Sequence, residues 1–271
     1  MSGNCIHRPI CEPPLIEFEN VTIVRGECRV LDAVTLSLRE RENVAILGPN
    51  GAGKSSLVKA ITREYYPLIT DRSVKFQFRG NDTWDIFELR SFIGIVSNDL
   101  QFTFTRTITG HEVVLSGFFS SIGLFNRDIS PAMEEKAKEI EQLLGISQLS
   151  CRPMTSLSSG EARRFLIGRA LVPGPATLLL DEPTSNLDLS ALHMFRNMLR
   201  KIAQAGTGIV LVTHNLHDII PEITRIIMMK DGRIVGDGEK TLMLTNEKVE
   251  SLFSVPVSIQ EEHGWYYATG Y

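Results

Sequence analysis

The chain is short of several things, and each shortage excludes a class of protein. Only four cysteines occur in 271 residues (Cys5, Cys11, Cys28 and Cys151), and no two form a C-x-x-C pair. That scatter builds neither a disulfide framework nor a zinc finger, so the thiols read as those of a reducing compartment. A basic excess is missing too, since 28 Lys and Arg stand against 32 Asp and Glu for a formal net charge of -4. Nucleic-acid surfaces cluster Lys and Arg, so no nucleic-acid partner is expected. No apolar run approaches the ~20 residues that span a bilayer, and the opening MSGNCIHRPICEPP lacks the apolar stretch of a secretion signal. The expected location is therefore the cytoplasm, with any membrane connection running through another chain. Internal repeats and low-complexity tracts are absent as well.

What is present is apolar material, 43% of the residues, enough for one substantial core. Residues 1–14, with Pro9, Pro13 and Pro14, read as a flexible entry segment. Residues 15–21 alternate like a strand, and a small antiparallel sheet is expected up to Leu38. Residues 44–47 are a buried strand by composition, followed by a Gly-rich turn and a helix from about Lys54. Between about Asp99 and Leu157 the pattern turns helical, over residues 110–119 and 131–144, the latter with Met133, Ala137, Ile140 and Leu144 at three- and four-residue steps. Then TLLLDEPT and GIVLVTHN are short apolar runs ending in polar residues, with a helical stretch over 190–205 between them. Strands alternating with helices make a parallel sheet, whose polar strand ends gather at one edge. RIIMMKDGRIVGDGE reads as a hairpin turning at Asp231-Gly232. The fold class is α/β: a parallel-sheet core (15–98 and 158–257) with an N-terminal antiparallel β-subdomain, an inserted α-helical subdomain (99–157) and a C-terminal tail (258–271).

Gly48-Pro49-Asn50-Gly51-Ala52-Gly53-Lys54-Ser55 satisfies G-x-x-x-x-G-K-[ST] in full, between a predicted strand and a predicted helix, with Ser56 following. Glycines let backbone N–H groups curl around an anion, and the helix N-terminus adds the positive end of its dipole. Lys54 is expected to reach the β- and γ-phosphates of a nucleotide and the Ser55 hydroxyl to ligate Mg²⁺. A Gly-rich turn without this chemistry would need neither the Lys-Ser pair nor the buried strand. After the apolar run 178–180, Asp181 can bind Mg²⁺ through its waters and Glu182 can orient and polarise an attacking water. His214 ends the next apolar run, near the same sheet edge, where it can sense the γ-phosphate or simply cap the strand. Lys54, Glu182 and His214 are the candidate catalytic residues for in-line displacement by water.

Leu157-Ser158-Ser159-Gly160-Glu161 is similar to the LSGGQ signature of the ATP-binding-cassette (ABC) family, which is built on the P-loop NTPase, RecA-like core. The motif order is that family's order, and Ser185-Asn186-Leu187-Asp188 looks like its D-loop. The resemblance, running from about Leu15 to the Asp231-Gly232 hairpin, implies ATP and Mg²⁺ as cofactors and a head-to-tail pair of nucleotide-binding subunits. It places Ser158, Ser159 and Gly160 against the nucleotide of the opposite protomer and counts Asp188 among the nucleotide-binding residues. It also implies transmembrane permease subunits, with a substrate-binding protein in importers, and a position on the cytoplasmic face of the membrane. Three departures stand out. Where the family has an aromatic residue on adenine this chain has Ile23-Val24-Arg25-Gly26, so Arg25 either stacks on the base or is a solvated turn arginine. Asn98 aligns with the Q-loop glutamine, with Gln101 three residues on as a substitute. Ser159 and Glu161 replace glycine and glutamine. The stretch from Thr107 to Gly117 and the ending from Leu252 to Val257 look like the ATPases of metal-chelate importers, for iron-siderophore and cobalamin. Pro221-Glu222-Ile223-Thr224 resembles orphan ATPases of the molybdate and photorepair type, which keeps a soluble regulatory or repair switch as the alternative.

Overall fold

The computed structural model describes residues 13–68, 74–97, 108–124, 127–185 and 187–270. Cys5, Cys11, Asn98, Gln101, Thr107 and Asn186 lie outside the described residues.

The first strand, β1 (Ile16–Arg25), buries Ile16, Phe18, Val21 and Ile23 and pairs antiparallel with β2 (Cys28–Leu38) and β4 (Lys75–Phe78). Irregular register within the β1–β2 pair keeps its apolar residues on one face across the bulges. The second sheet runs β5-β6-β7-β3-β8-β9. Here β3 (Asn43–Leu47), β5 (Ile93–Val96), β6 (Thr177–Asp181), β7 (Gly208–Thr213) and β8 (Arg225–Lys230) are parallel, and β9 (Arg233–Glu239) closes the edge antiparallel. The β8–β9 hairpin turns at Asp231-Gly232 with both residues at positive φ, 49° and 76°, as the sequence predicts.

Period-two alternation divides the strand residues between two cores. Val44, Ile46, Leu179, Val210 and Val212 face the antiparallel sheet and α1 (Lys54–Ile61). Ala45, Leu47, Leu178, Leu180, Ile209 and Leu211 face the opposite layer. Covering both faces is why β6 and β7 read as unbroken apolar runs. After α2 (Ile86–Phe92), that opposite layer contains α3 (Gly110–Ser116), α4 (Pro131–Leu143), α5 (Ser159–Leu171) and α6 (Leu189–Gln204). Thr109 opens α3 with a capping box, and Ser130 caps α4 with Pro131 in its first turn. His111 ties α3 to α4, with Nδ1 2.7 Å from Glu141 and Nε2 2.9 Å from Glu134.

After α7 (Lys240–Met243) and α8 (Asn246–Phe253), the residues expected to be a tail form a hairpin instead. Its strands are β10 (Ser258–Glu262) and β11 (Trp265–Thr269), and it packs on the 3₁₀ turn Leu216–Asp218. Tyr266 is buried in the same core as α6, and the ring of Trp265 lies under the Arg196 guanidinium, 5.2 Å from its centroid.

Candidate functional site

The loop from Gly48 to Gly53 joins β3 to α1, and its backbone is fixed from three sides. Gly48 N–H donates to the Thr213 carbonyl on β7 at 3.3 Å, and Gly232 N–H of the β8–β9 turn donates to Ala52 O at 3.0 Å. Gly53 caps α1 at φ 95°, where a Cβ would stand 2.8 Å from Val30 O of β2 and 3.2 Å from Gly232 Cα. No L-residue with a side chain takes that place without strain.

Lys54 is 4% exposed, and its ammonium donates to Gly48 O and Pro49 O at 2.9 Å each. It stands 3.4 Å from Glu182 Oε1. Because β7 lies between β3 and β6 in the sheet, its C-terminal end comes up between the phosphate loop and the Asp181-Glu182 pair. His214 Nδ1 is accordingly 3.2 Å from the same Glu182 oxygen. Glu182 takes φ 46°, a sparsely populated backbone region for a residue with a side chain, and its N–H donates to Val212 O at 2.8 Å. Two side chains, Lys54 from the first turn of α1 and His214 from just past β7, thus converge on the carboxylate that follows β6.

The cavity beside them holds about 550 Å³ and is lined by Asn50, Gly51, Gly53, Lys54, Ser55, Ser56 and Glu182. Cys28, Arg29, Val30, Asp231 and Gly232 form the opposite wall. Chemically, it pairs an anion cradle with a carboxylate able to polarise water. Among the described residues no three His, Cys, Asp or Glu side chains form a metal cage. The donors at hand, the Ser55 hydroxyl and the Asp181 carboxylate, are oxygen ligands and suit a hard cation that draws its other ligands from phosphate and water.

Other expected site residues lie elsewhere. Ser158 and Ser159 are exposed at the start of α5 and do not line this cavity. Ser158 forms a capping box: its hydroxyl accepts from Glu161 N–H at 3.3 Å, and Glu161 accepts from Ser158 N–H at 2.8 Å. Those bonds hold the Glu161 carboxyl below its ordinary pKa. A Cβ on Gly160 would stand 3.3 Å from Ala191 Cβ, so the signature turn packs on the start of α6. Asp188 caps α6, accepting from Ala191 N–H at 2.7 Å. Arg25 does not reach the cavity; its guanidinium lies over the Tyr65 ring, 4.6 Å from the centroid, while Arg29 takes the cavity wall.

With this geometry in place, the comparisons with known proteins agree. The ABC transporter family model matches residues 31–185. The chain belongs to the ABC transporter family. Its members' ATP-binding cassettes hydrolyse ATP. The ABC transporter ATP-binding protein YlmA of Bacillus subtilis is 32% identical over 250 residues, covering 90% of this chain and 93% of its own length. The hemin import ATP-binding protein HmuV of Aliivibrio fischeri is 30% identical over 249 residues, 90% of this chain and 92% of its own. A dimeric ATP-binding cassette in a post-hydrolysis state, bound to ADP and Pi, matches with a TM-score of 0.67 at 28% identity, over 83% of this chain and 98% of that one.

Within this ABC cassette, sequence reasoning missed the residues that brace the site from a distance. Arg163 of α5 is 6% exposed and donates to Pro183 O and, at 3.4 Å, to Ser185 O, so it holds the turn that follows Glu182. Asp231 and Gly232 were legible only as a hairpin turn, and their second duty against the phosphate loop comes from the sheet order. A buried arginine in a helix that opens with the signature was the one available signal for Arg163.

Proposed function

We propose that this chain binds MgATP on the phosphate loop and hydrolyses it as one half of a head-to-tail pair, energising an ABC transporter of the importer kind. The observation that carries this is the convergence of Lys54 and His214 on Glu182 beside a glycine-walled anion cradle. The loop N–H groups from Gly48 to Ser56 and the Lys54 ammonium hold the β- and γ-phosphates. Glu182 orients and polarises the attacking water, and His214 fixes Glu182 and the γ-phosphate relative to each other. Ser55 and Asp181 would hold Mg²⁺, which when bound neutralises charge on the phosphate oxygens.

A single cassette is incomplete for this role. Ser158, Ser159 and Gly160 offer hydroxyls and a helix N-terminus away from the chain's own cavity, where a partner's nucleotide can use them. The dimeric relative with ADP and Pi supports a pair. Residues 15–257 then act as one ATPase domain, with 99–157 as its inserted helical part.

Among the described residues no helix is long and apolar enough to cross a membrane, so permease subunits would supply the crossing. A groove of about 790 Å³, lined in part by Tyr66, Ile86, Arg90 and Ile122, supports a docked partner. Tyr66 and Ile122 are 62% and 47% exposed there, a cost that a soluble surface alone does not repay. The importer reading, with a substrate-binding protein and a place at the cytoplasmic face, rests on the similarity to HmuV.

The test is Glu182→Gln, which keeps the phosphate contacts but removes the water-activating carboxylate. It is expected to bind ATP, form an ATP-dependent dimer and lose turnover. Turnover at the wild-type rate would reject the role of Glu182. Affinity capture of that variant from solubilised membranes with MgATP is expected to bring down a multi-span membrane protein in stoichiometric amount. A clean soluble dimer would instead favour a regulatory switch.

A further inference from the structure

One buried carboxyl joins the two segments that carry the reactive side chains. Asp218 ends the 3₁₀ turn that starts two residues after His214, and it is 2% exposed. Its Oδ2 accepts the Thr213 hydroxyl at 2.5 Å, and the Thr184 hydroxyl lies close enough to the same carboxylate to lower its pKa. Thr213 is the last residue of β7 and receives the Gly48 N–H on its carbonyl. Thr184 lies two residues beyond Glu182, in the turn that Arg163 grips from the other side. Asp218 therefore spans from the segment that ends in His214 to the segment that begins with Glu182.

The surroundings keep that bridge dry and in place. Asn215 N–H donates to the Thr213 hydroxyl oxygen at 3.0 Å, and Asn215 Oδ1 accepts from His217 N–H at 3.1 Å, so the short turn is knitted to the strand end. The His217 ring meets Tyr267 of the C-terminal hairpin edge-on at 5.3 Å. Lys240 Nζ donates to Pro221 O at 2.9 Å and Gly264 O at 3.4 Å, tying the stretch that follows the 3₁₀ turn to the hairpin turn. Burial pushes the Asp218 pKa up, and the Thr213 and Thr184 hydroxyls and the Arg196 and His214 charges oppose that rise. An apolar side chain would fill such a place more cheaply, because a buried carboxyl is costly unless its bonds serve a purpose. Here both threonine partners flank the reactive residues.

We propose that Asp218 is a positioning residue for ATP hydrolysis, its carboxyl holding the turn after Glu182 and the strand end before His214 in one arrangement. This rests on the hydrolysis reading above. Asp218→Ala removes the bridge, whereas Asp218→Asn keeps an acceptor for one threonine and offers an N–H to the hydroxyl oxygen of the other.

The experiment measures kcat and KM for ATP, thermal stability and the imidazole C–H resonances of His214 in the full chain and both variants. Asp218→Ala is expected to lower kcat about 10- to 100-fold, since displacements near 1 Å at a reacting centre cost that much, with KM changed by less than about twofold. The His214 resonances shift in Asp218→Ala, and Asp218→Asn recovers most of kcat together with the wild-type resonances. The proposal is overturned by a kcat for Asp218→Ala within about twofold of wild type, by Asp218→Asn failing as badly as Asp218→Ala, or by KM and thermal stability worsening in step with kcat. If the wild-type chain turns over no ATP, the proposed function fails. Asp218 is then judged on His214 alone, and resonances unmoved in Asp218→Ala reject it.

Discussion

Replacing His111 by alanine removes the one ring that holds two carboxylates of α4 against α3. His111 Nδ1 is 2.7 Å from Glu141 Oε1 and Nε2 is 2.9 Å from Glu134 Oε2. Only the protonated ring donates from both nitrogens, so the pair of contacts specifies an imidazolium. Glu141 is 3% exposed and keeps one other partner, the Ser150 hydroxyl, at 2.6 Å. Breaking a buried ion pair from one side costs about 3–5 kcal/mol. Glu134 is more than a third exposed, so its share is that of a surface pair, about 0–1 kcal/mol. With the Ser150 bond retained, the low end of the buried range applies, and His111→Ala is expected to lose about 3 kcal/mol.

The sign of the pH dependence follows from the same contacts. The hydrogen bond to Glu141, with that to Glu134 behind it, raises the His111 pKa above its ordinary value against the opposing effect of burial. Below about pH 6.5 folded and unfolded chains both carry the proton, and the stabilisation is complete. Above that the unfolded state releases its proton first, so stability falls as pH rises and is lost once pH passes the raised folded value. His217 works the other way, because burial lowers its pKa and the unfolded chain then binds more protons. That contribution cancels in the difference between wild type and His111→Ala. Urea unfolding at about pH 6 and about pH 8.5 should show the wild-type advantage near 3 kcal/mol at the lower value and shrinking at the higher. An advantage equal at both, or larger at the higher, refutes the doubly bonded imidazolium.

The glycines of the phosphate loop separate backbone strain from collision. Gly51→Ala meets no atom within 4 Å and bears only the penalty of φ 81°, about 1–2 kcal/mol, whereas Gly53→Ala adds a clash with Val30 O. Binding of a fluorescent ATP analogue should therefore be hurt at least about tenfold more by Gly53→Ala than by Gly51→Ala, and equal losses would contradict the packing of this loop. Ser158→Ala removes the N-cap of α5 and is expected to cost about 1 kcal/mol in denaturant unfolding of the isolated chain. An unchanged midpoint would mean that the capping box is not formed in solution.

Much of the site was legible because its chemistry sits in contiguous residues. Eight consecutive positions from Gly48 make the loop, and an apolar strand delivers Asp181 and Glu182 side by side, so local spacing was enough. The parallel pairing was also within reach, since apolar runs broken by helices demand parallel strands with their polar ends together, whereas the order of the strands came only from the structure. Arg25 illustrates what was not. Its partner Tyr65 lies forty residues on, after α1, and no local pattern says which ring a guanidinium will choose. The C-terminal hairpin did leave a signal: SIQEE and WYYAT flank His263-Gly264, and both turn residues take positive φ, 52° and 82°. Its exposed polar strand β10 lacked the apolar alternation that marks a half-buried strand, so composition pointed to a tail.

Lys54 donates to Gly48 O and Pro49 O at 2.9 Å each and pairs with the Glu182 carboxylate at 3.4 Å. In the proposed reaction a triphosphate brings stronger acceptors to the loop, and the longest contact, to Glu182, is the easiest to exchange. Glu182 then keeps His214 and turns an oxygen toward water. Its aim depends on a backbone at φ 46°, worth of order 1–3 kcal/mol of strain, which persists only while neighbours hold it. Those neighbours are Val212 O on its N–H, and the Ser185 N–H and hydroxyl on its carbonyl at 3.3 and 3.1 Å. Ser185 is itself held by Arg163 from the helix that Ser158 opens, and the same turn leads into Asp188 at the cap of α6. A displacement of that turn would relax the strain and swing the carboxylate off the attacking line before any phosphate contact was lost. In the proposed reaction the braced turn from Glu182 to Ser185 is the unit that aims the carboxylate, and substitutions at Arg163 should lower kcat while leaving ATP affinity in place.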